Sequence, residues 1–143
     1  MRSSTPWVAA LLSVISCSKG PASEERVWLS YEPTVVQLRG RLTVSEKYGP
    51  PNYGENPESD EKLLIPILHL DHPANVRGDP NSETNVASVE DVQEMQVVFL
   101  NGDLDYGPFV GKKVRVRGTL FAAQTGHHYT KVLIIARQLR VAD

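Results

Sequence analysis

The chain has 143 residues, with 15 Lys+Arg against 17 Asp+Glu, 41% hydrophobic residues and a single Cys. That length suits one domain with its own core, and the composition is that of a folded chain. A formal charge of -2 gives nucleic acid no bulk attraction, one Cys excludes an intrachain disulfide or cysteine zinc cluster, and no apolar run is long enough for a spanning helix.

Taken in chain order, the first segment is an address. Arg2 supplies a positive charge, and residues 7–15 (WVAALLSVI) form an apolar run too short to cross a bilayer but suited to a secretory signal. The run ends at Val14-Ile15-Ser16-Cys17, which resembles the lipobox of bacterial lipoproteins. The resemblance implies that the Cys17 thiol takes a diacylglycerol and that the chain is cut before it. An ordinary cleaved signal that happens to contain Cys17 is the rival reading. Acyl chains contribute roughly 0.8 kcal/mol per buried methylene, so two or three would hold a domain at a membrane. Residues 1–16 are therefore expected to be a lipoprotein signal peptide and residues 17–26 the lipidated Cys with a polar tether. Residues 27–143 are expected to form one domain, facing the periplasm or the cell exterior.

Residues 36–44 alternate strictly. Val36, Leu38, Gly40, Leu42 and Val44 fall on one face and Gln37, Arg39, Arg41 and Thr43 on the other, the period of a half-buried strand. Gly40 within the inward series marks a sharp bend or the close approach of another strand. Residues 63–70 (LLIPILHL) predict a second strand with Pro66 at a bulge or edge, and residues 95–100 (MQVVFL) a third. The turn-rich stretch 101–110 has room for a short helix. Residues 113–120 (KVRVRGTL) repeat the first design, with Val114, Val116, Gly118 and Leu120 inward and Lys113, Arg115 and Arg117 outward; residues 131–141 close the series. Five strands with glycines where the sheet must coil predict an all-β fold. It is expected to be a small five-stranded OB-like antiparallel barrel with a short helix or turn between strands three and four. A sandwich or an SH3-like barrel is the alternative.

Two loops concentrate polar chemistry. Gly49-Pro50-Pro51-Asn52-Tyr53-Gly54-Glu55 follows the first strand, and its prolines lower the entropic cost of presenting Asn52 and Tyr53. Thr125-Gly126-His127-His128-Tyr129-Thr130 joins the last two strands. In an OB barrel these loops flank one face, so Asn52, Tyr53, Thr125, His127, His128 and Thr130 are expected to form a binding site for a ligand or partner. The competing expectation is that these side chains bond the neighbouring loop and merely close the barrel.

Over these residues the chain resembles a bacterial exported family, the domain-of-unknown-function family 4431. The matching segments are Tyr31-Glu32-Pro33, the strand at 36–42, Gly49-Pro50-Pro51-Asn52-Tyr53, Gly111-Lys112-Lys113-Val114, Gly118-Thr119-Leu120-Phe121 and Thr125-Gly126-His127-His128. The resemblance implies an exported small domain and brings no established activity or catalytic residue. Members often carry Cys just before the Y-E-P segment and after the second strand, where this chain has Trp28 and Asn75, and often His in place of Tyr129.

On an extended backbone His127 and His128 point to opposite faces, poorly placed to chelate one ion, and nothing fixes His69 and His72 beside them. Residues 79–90 space Asp79, Asn81, Glu83, Asn85 and Glu90 like an EF-hand calcium loop, yet Thr84 replaces the turn glycine and Pro80 intrudes. No metal site and no cofactor are therefore expected. Arg39, Arg41, Lys113, Arg115 and Arg117 should form an outward basic stripe, either a solvated face balanced by nearby acids or a surface for an anionic envelope polysaccharide or lipid headgroups. Glu55, Glu58, Asp60 and Glu61 are expected to keep the preceding loop solvated. No G-x-S-x-G, H-E-x-x-H or glycine-rich phosphate loop occurs. The expected function is that of an uncharacterised bacterial envelope lipoprotein, a non-catalytic binding module rather than an enzyme. Its expected partners are the membrane, through lipid on Cys17, and an envelope polymer or protein, with no nucleic acid. A structural role for the His loop and a metal-binding carrier or hydrolase are the alternatives.

Overall fold

The computed structural model describes residues 26–100, 102 and 104–143. The expected signal peptide, Cys17 and the tether up to residue 25 lie outside the described residues. The strands are β1 (Trp28–Ser30), β2 (Val35–Tyr48), β3 (Lys62–Arg77), β4 (Val89–Phe99), β5 (Lys113–Ala122) and β6 (Val132–Val141). Five of them close a ring: β3 pairs with β2, β2 with β5, β5 with β6, β6 with β4, and β4 returns to β3. The sixth, β1, lies alongside β3 outside that ring.

The all-β barrel agrees with the alternating pattern, but its sheet is mixed rather than antiparallel. From Gln96↔Leu133 to Phe99↔Ala136, β4 and β6 run parallel, and so do β1 and β3. The chain reverses twice after β4, once into β5 and once into β6, so β6 points the way β4 does. The expected short helix is only one 3-10 turn, Gly107–Phe109, with Pro108 in its first turn. Beside it Phe99 and Tyr106 stack with ring centroids 4.9 Å apart, and with Leu104 and Phe109 they pack against the core.

Val36, Leu38 and Leu42 of β2 and Val114, Val116 and Leu120 of β5 enter the core as their spacing demands, meeting Leu68, Met95, Val132 and Ile134. Fully burying a side chain of Val or Leu size stabilises by roughly 1.5–3 kcal/mol. Gly40 and Gly118 stand in the same inward rows for a steric reason. A Cβ at Gly40 would land on the carbonyl oxygen of His69, and one at Gly118 on that of Ile135. Backbones there approach more closely than any side chain permits.

Two strands outrun their apolar patterns. Beyond the last β5 pairing, at Arg41↔Lys113, β2 continues against β3 as far as Tyr48↔Lys62. Residues 44–48 and 62–66 therefore form a two-stranded ribbon that projects from the ring and carries the proline loop. Pro66 sits in this ribbon, just past the last β4 partner at Ile67↔Gln96, so its missing N–H falls where β3 has an edge. The irregularity lies further on, between His69↔Glu94 and Ala74↔Val92, where β3 spends more residues than β4 and accommodates Pro73. β1 has no alternation long enough to be read from sequence. Its Trp28 is the register partner of Asn75. Here the Arg77 guanidinium lies 5.4 Å from the Trp28 ring centroid, and Asn75 Oδ1 accepts the Asp91 N–H at 3.0 Å.

Candidate functional site

The loop at the tip of the β2–β3 ribbon is built around Asp60, which is 7% exposed. Its Oδ1 accepts from the backbone N–H of Asn52 (2.8 Å) and from the Asn52 side-chain amide (3.1 Å). Its Oδ2 accepts from the N–H groups of Gly54 (2.7 Å) and Asn56 (3.3 Å). Burial by itself pushes this carboxyl upward, but the donors of Gly54, Asn52 and Asn56 outweigh it and hold the group below the usual carboxylate range. Asp60 thus organises the loop from within instead of solvating it, and Asn52 is spent on Asp60. Tyr53 follows with φ 52, a left-handed conformation uncommon outside glycine, and remains 43% exposed.

The β5–β6 loop is a turn at His127, not the extended backbone assumed for the histidine pair. The His127 N–H donates to Thr125 Oγ1 (3.3 Å) and the His128 N–H to the Thr125 carbonyl (3.0 Å). His128 Nδ1 accepts the N–H groups of Gln124 (2.8 Å) and Thr125 (3.3 Å), and its ring meets Phe121 edge-on at 5.2 Å. Thr130 is buried; its Oγ1 accepts the Gln96 N–H at 2.8 Å and donates to the Val132 carbonyl at 2.7 Å.

Gln96 ties the loop to the barrel. Its amide donates to the His127 carbonyl (3.1 Å) and accepts the Tyr129 N–H (2.8 Å). Sequence reasoning passed over it as one polar residue in an apolar strand. That polarity was the signal: Gln96 is in register with Ile67 and Leu133, both buried, because the loop folds over this part of the sheet. Tyr129 reaches the ribbon, its hydroxyl donating to the Tyr48 carbonyl at 2.9 Å. Burial first, then neighbouring Tyr53 and Glu61, raise the Tyr129 phenol above its ordinary value, so it stays a neutral donor.

The two loops meet. Tyr53 Oη and His127 Nε2 share a hydrogen bond of 3.2 Å, their rings lie edge-to-face with centroids 5.5 Å apart, and Gly126 leaves room for the Tyr53 ring. Of the six expected site residues, Tyr53 and His127 are exposed and in contact. Asn52, Thr125, His128 and Thr130 make hydrogen bonds that build the loops themselves.

Alongside runs a groove of about 640 Å3, bounded by parts of 69–73, 89–94 and 129–131. Glu90, Asp91 and Glu94 line it with His69 and Lys131. Asp91 holds a φ of 57 and is fixed by Asn75 and by an ion pair with Arg26 at 3.3 Å. His69 faces Glu94 through Nδ1 (3.5 Å) and Thr43 through Nε2 (2.9 Å). Among the described residues no group of three or more His, Cys, Asp or Glu side chains is placed to hold a metal ion. In the calcium-like stretch 79–90, Asp79 bonds within the loop and Asn85 bonds to β5. Asn85 is buried and its Oδ1 accepts the Ala122 N–H at 2.8 Å, while Asp79 Oδ1 accepts the Asn81 N–H at 2.9 Å.

Fold and site together define a closed mixed β-barrel with two hairpin loops joined over one flank and an acidic groove beside them. Residues 94–138 match the family described as Domain of unknown function (DUF4431), which bears out the family resemblance over that stretch. The stretch includes Gln96 and Thr125-Gly126-His127-His128; the Y-E-P and G-P-P-N-Y segments lie outside it. No curated protein matches the chain.

Proposed function

We propose that this chain is a non-catalytic binding module of the bacterial cell envelope, lipid-anchored through Cys17, whose OB-like barrel takes a ligand along the β3–β4 groove beneath the two joined loops. Setting β1 aside, β2 pairs with the next strand and with β5, and β4 runs parallel to β6. This order supports the OB reading, because OB barrels bind extended ligands across their second and third strands between the equivalent loops. The observation that carries the proposal is the Tyr53–His127 contact at 3.2 Å. It is an exposed aromatic and imidazole pair on a hydrogen-bonded frame, and His127 stands two residues before Tyr129, which lines the groove. The frame leaves few rotamers to freeze on binding. Three carboxylates on the groove favour a ligand that is neutral with many hydroxyl donors, or cationic.

The test is a titration of the isotope-labelled protein with soluble fragments from enzymatically digested bacterial cell wall, followed by amide chemical shifts. Shifts should concentrate at Tyr53, His127, Tyr129 and residues 90–94. They should vanish in Tyr53→Ala with His127→Ala, while the melting temperature stays within a few degrees. Shifts confined to other faces, or unchanged in the double variant, overturn the reading. The frame also favours a second reading, in which the loops only close the barrel. Under it the double variant loses stability and no fragment perturbs the groove.

A further inference from the structure

We propose a second site, on the opposite charge principle, across the outward face of β2, β5 and β6. It binds phosphate-type oxyanions through Arg39, Arg115 and Arg140. The β2–β5 register sets Arg39 opposite Arg115, and the β5–β6 register sets Arg115 opposite Arg140. Three guanidinium groups thus share one row across three strands, with backbones about 4.8 Å apart. The neighbouring rows on the same face lie about 6.7 Å along the strands. One pairs Arg41 with Lys113, and the other sets Arg117 between Gln37 and Gln138.

Such a grid is costly. Like charges directly opposite on a sheet destabilise it, and the usual remedy is a carboxylate in the next position. Lys113 has one, Asp71 at 3.1 Å; among the described residues no carboxylate side chain lies within ion-pair distance of Arg41, Arg115, Arg117 or Arg140. Backbone oxygens hold two of the arginines. Arg39 donates to the backbone oxygen of Asp143 at 2.7 Å and Arg41 to the Gly111 carbonyl at 2.6 Å. The Gly111 carbonyl orients the Arg41 guanidinium without neutralising it, so that charge stays available and its fork is pre-organised. Arg115, at the centre and half-buried, has its Nε shielded from solvent with no hydrogen-bond partner. A tetrahedral oxyanion seated over Arg115 gives Arg115 and Arg140 the counter-charge they lack, and Gln37 and Gln138 add neutral donors at its edge. The face is local: the whole chain carries a formal charge of -2, so bulk attraction does not produce it.

The phosphate could belong to a soluble molecule or to a lipid headgroup, and two arms separate the sources. Calorimetry with inorganic tripolyphosphate tests the first. Co-sedimentation with phosphatidylglycerol vesicles, against phosphatidylcholine vesicles, tests the second, using the Cys17→Ala chain so that acylation cannot contribute. Binding in either arm should weaken at least tenfold in Arg115→Gln and fall steeply with added salt. Arg115→Lys keeps the charge but loses the fork, and should recover only part of the affinity. Lys62→Gln removes a cation from the β2–β3 ribbon, paired with Glu46, and should leave binding unchanged. Thermal melts of each variant separate lost affinity from lost fold, and Arg39→Gln with Arg140→Gln repeats the test should Arg115→Gln melt early. No binding in both arms, or equal weakening by Lys62→Gln and Arg115→Gln, overturns the proposal. It does not depend on the groove, and neither arm uses the cell-wall fragments that test that reading.

Discussion

At Gln96 a polar side chain is buried in a row with Ile67 and Leu133 and is tolerated because the β5–β6 loop supplies a donor and an acceptor. Gln96→Ala leaves the His127 carbonyl and the Tyr129 N–H without that partner. A buried group so orphaned costs about 1–3 kcal/mol, which chemical denaturation should record as a lower midpoint at unchanged slope. Amide exchange at Tyr129 should accelerate together with it. An Ala variant as stable as the parent would mean that water replaces the amide and that the loop is not anchored there. The residues legible in sequence were those whose chemistry announces itself: Tyr53, His127, His128 and Thr130. What no pattern revealed was the division of labour among them. Asn52 and His128 bond within their own loops, through Asp60 and through the N–H groups of Gln124 and Thr125, and those partners depend on turn geometry rather than spacing.

At the scale of elements, alternation and glycine placement were readable and long-range pairing was not. β2 and β5 show their inward rows outright, and the glycines within those rows point to close backbone contact. The ribbon beyond Arg41, the irregularity beside Pro73 and the parallel β4–β6 pair arise from partners distant in sequence, and local pattern carries no trace of a partner's direction. β1 is three residues long and exists only because β3 offers an edge. The glycine argument has a sharp consequence. In Gly118→Ala the new methyl group meets the Ile135 carbonyl, a backbone atom that cannot rotate away. Overpacking typically costs about 1–3 kcal/mol, and with backbone on the far side the loss should reach or exceed the top of that range. Thermal melts of Gly118→Ala and Gly40→Ala read this directly. Melting temperatures within a few degrees of the parent would show that the strands can separate to admit a Cβ.

Across the whole molecule, near-neutral formal charge conceals two unlike surfaces. Carboxylates gather along the groove beside β4, and six cations gather on β2, β5 and β6. If lipid on Cys17 ties the domain to a membrane, as proposed, it samples a small volume above the bilayer and both surfaces meet whatever lies there at high effective concentration. That consequence rests on Cys17, the chain's single thiol, placed directly after Val14-Ile15-Ser16. Cys17→Ala removes the nucleophile that lipid attachment needs and leaves residues 26–143, which contain the core, untouched. The variant should therefore move from the membrane fraction to the soluble fraction of expressing cells with an unchanged melting temperature. Intact mass of the parent should exceed that of the chain cut before Cys17 by the attached acyl groups. If the arginine face also touches anionic headgroups, a minority of Cys17→Ala protein stays with membranes at low salt and leaves at high salt, because screened Coulomb attraction fades where buried methylenes do not. Retention that resists salt would instead mean that a segment other than Cys17 inserts into the bilayer.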